Sequence, residues 1–213
     1  MDVVVAGGHG KVGLRLLRLL AERGDRARGL IRKPEQAGDL EQVGAEAVIC
    51  DLEGDDDVSD HVRGADAVVF AAGAGPGSGA ERKRTMDLGG ALKLIDAAKA
   101  NGVPRYLMVS AMGAADPSQG SEQMRPYLEA KHDADQALAR SGLDFTIVRP
   151  GMLTDDRGTG RVALAESLGR RGEVTRDDVA AVLLAALGAE NTAGRTLELL
   201  GGATPIEEAV RAV

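Results

Sequence analysis

The chain has 213 residues and a net charge of −7, with 44% hydrophobic and 28% charged residues, which is an ordinary globular balance. No apolar run reaches the roughly 20 residues that span a bilayer, so no membrane segment is expected. Because the chain is acidic and has only two Phe, two Tyr and no Trp, it lacks the clustered cations and stacking rings of a nucleic-acid surface.

Short β-branched runs alternate with segments of helical periodicity through the first two thirds of the chain. Continuous apolar strands separated by helices are typical of a parallel sheet that is covered on both faces. The sequence therefore predicts a doubly wound α/β sheet. The predicted strands are 3–6, 27–32, 45–50, 66–73, 106–111 and 144–151, and the predicted helices are 10–23, 34–43, 82–101 and 126–142.

The pattern is weaker after Gly151. The predicted elements there are a short strand near 160–165, a helix over 175–187, a strand over 195–201 and a terminal helix from Pro205. These roughly 60 residues are few for a substrate lobe. We therefore expect a single domain over 1–213, with a core at 1–151 and a small C-terminal appendage at 152–213 on the substrate side.

Glycines recur at a spacing of three in "GGHGKVG", where the first predicted strand meets the first helix. In such a turn the first glycine permits the bend, and the middle one lets backbone N–H groups approach a pyrophosphate. The third lets helix and strand pack closely, while the N-terminus of the helix attracts the anion. The alternative is an ordinary strand-to-helix turn. The candidate cofactor contacts in this stretch are Gly7, His9, Gly10, Lys11, Val12 and Gly13.

The end of the second predicted strand indicates which dinucleotide is bound. A free ribose 2′-hydroxyl calls for Asp or Glu about 20 residues past the glycines, but this chain has Arg32 and Lys33 there. A guanidinium binds a 2′-phosphate in a forked geometry, whereas a carboxylate would repel it. The pattern therefore favours NADP (NADPH) over NAD. The alternative is that both residues are solvated surface cations.

Asp51 and Leu52 follow the third predicted strand. The Asp51 carboxylate could accept a hydrogen bond from the adenine amine, or it could cap the following helix. The acidic run 51–57 is interpreted as a helix start stabilised by the helix dipole, not as a metal site. With three scattered histidines and a lone cysteine, Cys50, which is predicted to be buried, no metal is expected.

The glycine turn is followed in order by "LIRKPE", "CDLEG", "VVFAAGAG", "VSAMGA", "YLEAK" and "VRPGML". With these motifs, over about residues 2–200, the chain resembles the short-chain dehydrogenase/reductase superfamily. More narrowly, it resembles the atypical NADP-binding members, Rossmann-fold proteins often labelled NAD-dependent epimerase/dehydratase. The motifs are specific for the superfamily and poorly specific for a substrate. The resemblance implies that the adenosine half of the cofactor lies against Ala71, Ala72 and Gly73, and the nicotinamide near Pro150, Gly151 and Met152.

The resemblance also implies a catalytic group of Ser110, Tyr127 and Lys131. Tyr127 and Lys131 are four residues apart on one face of a predicted helix, and a cation held close lowers the pKa of a phenol from about 10 toward working pH. Tyr127 could then pass a proton to or from a substrate oxygen. Lys131 would also hold the nicotinamide ribose, and Ser110 would orient the carbonyl or alcohol. The alternative is a half-buried tyrosine beside a solvated lysine.

One departure from the family pattern lies on the long predicted helix. Members with the full proton relay carry an asparagine there, and this chain has Asp87 at the corresponding position. An acid at this position could anchor a water, cap the helix, or pair with Lys83 or Arg84. The departure bears on turnover more than on cofactor binding.

Three functional hypotheses follow. The first is an NADP(H)-dependent oxidoreductase acting on a small carbonyl, alcohol or quinone-like substrate, in a pocket roofed by 111–125 and by Met152 and Leu153, with Met112 and Met124 as its apolar lining. The second is a non-catalytic protein that senses NADP(H) for a partner, by analogy of fold alone. The third is an epimerase or dehydratase. A nucleotide-sugar substrate would need a larger second lobe than this chain offers, which argues against this hypothesis. The segment 73–85 is either a mobile flap over a phosphate or a solvated loop.

The start of the chain bears on location. Asp2 follows Met1 and Gly7 interrupts the first apolar run, which is unlike a secretory signal, so a cytoplasmic protein is expected. The expected partner is a small-molecule substrate, with no nucleic acid and no membrane, and the oligomeric state is left open.

Overall fold

The structure is a computed structural model that describes residues 1–54, 57–75 and 77–213. Asp55 and Asp56, in the predicted acidic helix start, and Pro76, in the predicted flap, lie outside the described residues. Within the described residues the chain forms eleven strands. These are β1 (Asp2–Ala6), β2 (Arg26–Ile31), β3 (Glu46–Ile49), β4 (Ala67–Phe70), β5 (Arg105–Val109), β6 (Asp144–Pro150), β7 (Met152–Thr154), β8 (Arg161–Ala165), β9 (Glu173–Thr175), β10 (Arg195–Gly201) and β11 (Thr204–Pro205).

Nine of the described strands form one sheet in the order β11-β8-β10-β6-β5-β4-β1-β2-β3. All neighbours from β3 to β10 are parallel, and β8 and β11 are antiparallel to their neighbours. The order reverses at β1, which lies between β2 and β4. The predicted doubly wound parallel sheet is thus confirmed. A small second sheet, in which β7 and β9 pair in parallel, was not predicted.

Helices cover both faces of the main sheet. The described α-helices are α1 (Lys11–Arg23), α2 (Ala37–Gln42), α3 (Val58–Val62), α4 (Ala80–Arg82), α5 (Ala91–Ala100), α6 (Arg125–Ala139), α7 (Arg176–Leu187) and α8 (Ile206–Arg211). Short 3-10 helices span Pro34–Gln36, Met112–Ala115, Pro117–Gln119 and Glu190–Thr192, and a π-helix spans Lys83–Gly90.

The core lies on both faces of β1, as the continuous apolar run of this strand predicts. Val3 and Val5 contact the cluster that holds α1, α7 and α8, whereas Val4 and Ala6 contact the cluster that holds α3, α5 and α6. All four side chains are completely buried. Successive side chains of a strand point to opposite faces, so one strand serves both cores.

The long helix predicted over 82–101 is divided in the structure. A π-helix over Lys83–Gly90 follows the single turn of α4 and leads into α5. Gly89 and Gly90 disfavour regular α-helix, and π-turns are rare and cluster at functional sites. Asp87 lies inside this π-helix and is buried.

Residues 152–213 largely extend the central sheet. β10 pairs with β6, and β8 and β11 then complete this edge of the sheet. α7 packs against α1 in the same core cluster. The side chains of Arg15 and Asp177 join α1 to α7 with an Nε–Oδ1 distance of 2.5 Å. None of the helices in the described part of the chain combines the length and apolar character that crossing a bilayer requires.

Candidate functional site

The predicted site residues meet at the carboxyl edge of the parallel strands. In doubly wound sheets, ligands bind in the crevice outside this edge, where the strand order reverses. Here the reversal lies between β1 and β4. The segments that follow the six strands of this edge are Gly7 after β1, Arg32 after β2, Asp51 after β3, Ala71 to Gly73 after β4, Ser110 after β5 and Gly151 after β6.

The glycine turn is a close backbone-to-backbone contact. Gly7 has a φ of +81°, and a Cβ atom on it would lie 2.7 Å from the Cα of Ala72. A Cβ on Gly13 would collide with the Gly7 carbonyl oxygen, and that oxygen accepts a hydrogen bond of 2.8 Å from the Gly10 N–H. No side chain therefore fits at Gly7 or Gly13 without moving the backbone.

The N-terminus of α1 opens above this turn. Its N-cap residue is Gly10, which has no side chain to cap the first N–H groups, and the first turn holds no acidic residue. Uncapped N–H groups at the start of a 13-residue helix form an anion-binding site. The turn therefore fits the pyrophosphate of a dinucleotide.

His9, Lys11 and Val12 have partners within the protein. His9 Nε2 lies 2.7 Å from Asp39 Oδ2, and Lys11 Nζ lies 2.5 Å from Asp155 Oδ2. Val12 is buried in the core. The side chains of His9 and Lys11 thus link the glycine turn to α2 and to the segment after β7.

Arg32 stands at the end of β2 as an exposed cation. It makes no hydrogen bond or ion pair with the residues that the structure describes, whereas Lys33 Nζ lies 3.7 Å from Glu35 Oε1. The nearby Glu53 carboxylate is held by Arg82 at 3.0 Å. Burial raises the pKa of Glu53, but the hydrogen bonds from Arg82 and Thr85 and the charges of Arg82 and Arg32 outweigh it and lower the pKa. The Arg32 guanidinium is therefore exposed, with its donors not engaged by the described residues.

Side-chain contacts hold the segments that follow β3 and β4. Asp51 Oδ1 accepts a hydrogen bond of 2.9 Å from the Glu53 N–H, so its carboxylate stabilises the turn before α3. Leu52 is buried in the core. A Cβ on Gly73 would lie 3.1 Å from Asp87 Oδ1, so a side chain at this position would crowd the carboxylate.

A buried ion pair lies between the π-helix and α6. Lys131 Nζ is 3.2 Å from Asp87 Oδ1 and donates a hydrogen bond of 3.2 Å to the Val109 carbonyl. The two side chains are 4% and 1% exposed. The Asp87 Oδ2 atom accepts from the Ala74 N–H at 3.2 Å. Lys131 is therefore a paired, buried cation, and the alternative of a solvated lysine is wrong.

Tyr127 lies beside this pair, with its ring centroid 5.9 Å from Lys131 Nζ. Burial raises the pKa of the Tyr127 phenol; Lys131 lowers it, and Asp87 and Asp135 raise it further. The net direction is upward. The expectation that Lys131 brings the pKa of the phenol down toward working pH is therefore wrong for the protein without ligand, because burial and two carboxylates outweigh one cation.

The hydroxyl of Ser110 is committed to a residue that the sequence did not single out. Ser110 Oγ donates to Asp135 Oδ2 at 2.9 Å, and Arg149 Nε donates to the same oxygen at 2.8 Å. Asp135 Oδ1 is buried without a partner among the described residues. Burial raises the pKa of Asp135, opposed by the charge of Arg149 and the hydrogen bond from Ser110.

Asp135 and Arg149 are thus the residues that sequence reasoning missed. One signal was present: Tyr127, Lys131 and Asp135 follow one another at intervals of four, so they share one face of α6. The structure brings Lys131 together with Tyr127 and Asp87, and it brings Ser110 together with Asp135.

The segment after β6 is held by backbone contacts. The Gly151 N–H donates to the Leu199 carbonyl and the Met152 N–H donates to the Gly172 carbonyl, both at 2.9 Å. A Cβ on Gly151 would collide with the Gly172 carbonyl oxygen. Pro150 is buried at the end of β6, and Met152 opens β7 with 63% of its surface exposed.

A doubly wound sheet with an uncapped glycine turn at its switch point defines a dinucleotide-binding protein of the Rossmann type. The chain belongs to the NAD(P)H-binding family, whose model matches residues 7–190.

Known proteins similar to the chain agree with this class. A Bacillus subtilis protein named as an uncharacterized sugar epimerase, YhfK, is 42% identical over 213 residues and 99% of both chains. A solved structure from Bacillus halodurans, described as a candidate NAD-dependent epimerase/dehydratase, is 42% identical with a TM-score of 0.96 over 100% of both chains. ChuY, described as an anaerobilin reductase of Escherichia coli O157:H7, is 26% identical with a TM-score of 0.80 over 94% of this chain and 97% of that chain.

Proposed function

We propose that the protein is an NADP(H)-dependent oxidoreductase of the atypical short-chain dehydrogenase/reductase type, which transfers hydride to or from a small carbonyl, alcohol or quinone-like compound. The observation that carries this proposal is the pairing of two anion sites on one sheet edge. These are the uncapped N-terminus of α1 above the glycine turn and the unpaired guanidinium of Arg32 at the end of the neighbouring strand.

The residues that would hold NADP lie along this edge. The backbone of Gly7 to Gly13 would hold the pyrophosphate, and Arg32 the 2′-phosphate. Lys131 Nζ donates to the Val109 carbonyl and forms an ion pair with Asp87, so at least one of its three N–H donors remains for the nicotinamide ribose. When bound, the nicotinamide supplies or accepts the hydride.

The protein's own groups would handle the proton. Tyr127 has no hydrogen-bond partner for its hydroxyl among the described residues, so the hydroxyl is free for a substrate oxygen. Ser110 stands at the end of the adjacent β5 with its hydroxyl fixed by Asp135. We propose that Ser110 orients the substrate: as it stands its oxygen can accept from an alcohol O–H, and donation to a carbonyl oxygen requires its proton to turn from Asp135 to the substrate.

The substrate is proposed to be small and largely apolar. Met124 and Met152 are 44% and 63% exposed, and they belong to segments that flank the ends of α6 and β6. Methionine side chains adapt to irregular apolar ligands, so these two would suit a small apolar compound. No nucleic acid or membrane is proposed as a partner.

An epimerase or dehydratase is the alternative that the name of the Bacillus subtilis relative supports. Against it, residues 152–213 largely extend the sheet, which leaves little chain to enclose a nucleotide-sugar. A cytoplasmic location is likewise a proposal, supported by a single cysteine, which allows no internal disulfide.

The test is calorimetric titration of the protein with NADPH, NADP⁺ and NADH, repeated on Arg32→Ala. Loss of one guanidinium–phosphate contact is expected to weaken NADPH binding at least about tenfold and to leave NADH binding within about twofold. Arg63→Ala is the matched control, because Arg63 is an exposed arginine paired with Asp60.

Tight NADPH binding justifies a screen of carbonyl and quinone compounds for NADPH oxidation. Binding that distinguishes NADPH from NADP⁺, with no oxidation by any compound, would instead support the sensor hypothesis. If no dinucleotide binds, the oxidoreductase and the sensor are both excluded.

A further inference from the structure

The positive charge of Lys131 is neutralised by a carboxylate within the same buried site. Asp87 Oδ1 lies 3.2 Å from Lys131 Nζ, and both side chains are almost completely buried. An asparagine at the position of Asp87 would leave the ammonium charge uncompensated there. In this chain Lys131 and Asp87 instead form an ion pair whose net charge is zero.

The charged groups that face Tyr127 come from two elements. Lys131 and Asp135 lie on its own helix, α6, and Asp87 faces it from the π-helix. Arg149 of β6 pairs with Asp135. Each cation is thus matched by one carboxylate, at 3.2 Å and 2.8 Å.

A pair of opposite charges so close together acts on a third group as a dipole. Lys131 attracts a phenolate at Tyr127, and Asp87, whose Oδ1 lies 3.2 Å from Lys131 Nζ, repels it, so the two contributions oppose each other. Burial then dominates and disfavours the charged phenolate, in keeping with the raised pKa of Tyr127.

We infer that Asp87 cancels the charge of Lys131 at Tyr127, so that Tyr127 stays a neutral phenol and donates a proton to a carbonyl oxygen in the direction of reduction. This inference rests on the proposed oxidoreductase function. It assigns Asp87 as a positioning residue that acts through Lys131, and it names carbonyl compounds as the substrates.

The reaction balances with NADPH as the reductant. The carbonyl carbon receives a hydride from NADPH, the carbonyl π bond breaks, and its oxygen takes the proton of Tyr127 Oη. The carbonyl is reduced to an alcohol, NADPH is oxidised to NADP⁺, and the phenolate takes a proton from water. In the opposite direction Tyr127 would have to begin as the phenolate, which this site disfavours.

The test is an alkaline titration of tyrosinate absorbance, without cofactor or substrate. The chain has two tyrosines and no tryptophan, so a Tyr106→Phe background leaves Tyr127 as the sole absorbing phenol. The absorbance is recorded after rapid mixing to each pH, so that the ionisation of the phenol is measured before the protein unfolds. Circular dichroism on the same samples verifies that the protein is still folded.

We expect the two single substitutions to shift the midpoint of the Tyr127 titration in opposite directions. Asp87→Asn is expected to move the Tyr127 midpoint to lower pH by about one unit, and Lys131→Met to move it to higher pH. The double variant is expected to return close to the starting midpoint, since it removes both charges. Asp133→Asn, an exposed carboxylate on the same helix, is the matched control and leaves the midpoint unchanged.

A midpoint that stays in place or rises in Asp87→Asn would overturn the inference, as would shifts that fail to compensate in the double variant. If one single variant does not fold, the other and the double variant still decide the sign. Because this titration uses no dinucleotide, its failure is distinct from a failure of cofactor binding. In a turnover assay, Asp87→Asn is expected to move the alkaline limb of the pH profile of kcat/KM for carbonyl reduction to lower pH by about one unit.

Discussion

The carbonyl oxygen of Gly7 occupies the space in which a side chain on Gly13 would begin. This contact brings the start of α1 onto the end of β1 and leaves the helix N-terminus open. Residue 13 is therefore required to be glycine, because even the methyl group of alanine would meet a backbone atom and not a flexible side chain.

Gly13→Ala is therefore expected to destabilise the protein and to weaken NADPH binding. Forcing a methyl group into packed backbone costs about 1–3 kcal/mol, and the displaced turn is expected to lose at least about tenfold in affinity. Thermal unfolding and calorimetric titration measure the two effects.

Gly38→Ala is the control for that substitution. Gly38 lies in α2 with nothing near its missing Cβ, so alanine is expected to stabilise by up to about 1 kcal/mol through helix propensity. Equal behaviour of the two variants would show that the Gly13 contact is not constraining.

The Asp135–Arg149 pair is expected to be strongly coupled in stability. Both side chains are mostly buried, and removing one partner of such a pair costs about 3 kcal/mol because the other charge is left buried. Asp135→Ala and Arg149→Ala together should lose at least about 1 kcal/mol less than the sum of the single losses in urea unfolding. The exposed pair of Asp60 and Arg63 should show coupling below about 0.5 kcal/mol. Additive losses at Asp135 and Arg149 would contradict the prediction.

Tyr106→Phe is expected to stabilise the protein. Tyr106 is completely buried and its hydroxyl has no partner among the described residues, so the folded state carries an uncompensated polar group. Removing it while keeping the ring should raise the free energy of unfolding by about 1 kcal/mol. Tyr127→Phe, where the hydroxyl reaches the site, should change it by less than about 0.5 kcal/mol. A loss of stability in Tyr106→Phe would show that its hydroxyl has a partner.

The link between α1 and α7 is expected to depend on pH. The hydrogen bonds from Arg15 and from the Gly158 N–H hold the pKa of Asp177 below its usual 3.8. A lowered pKa gives stability that is fully present above the unfolded-state value and is lost as pH falls through the folded-state value. Asp177→Asn should therefore be less stable than the parent by up to about 1 kcal/mol near pH 6, and the difference should close near pH 2. A difference that persists in acid would exclude the charge as its source.

Much of this architecture could be predicted from the sequence, for physical reasons that are local. The apolar run before Gly7 has no alternation, which indicates a strand buried on both faces, and the parallel topology follows from that burial. Once the sheet is parallel, the residues that follow its strands must share one edge, so Arg32 and Ser110 could be placed there without coordinates.

The remaining features depend on contacts between distant segments. The pairing of Asp135 with Arg149 and Ser110 joins α6 to the ends of two strands, which no sequence spacing reveals. The predicted lowering of the Tyr127 pKa was wrong, because the four-residue interval reveals the nearby Lys131 but not the burial of the phenol. The short strands β7 and β9 were not predicted because three residues carry no measurable periodicity.

The π-helix over Lys83–Gly90 makes the polarity of the site sensitive to chain length as well as to residue type. A π-turn takes up one more residue than an α-turn, and each residue of an α-helix rotates the following side chains by about 100°. Deleting a single residue before Asp87 would let the segment relax to an α-helix and carry the carboxylate out of reach of Lys131. A lineage or an engineer could thus remove the counter-charge by a one-codon deletion, with every residue that contacts Tyr127 from α6 left unchanged.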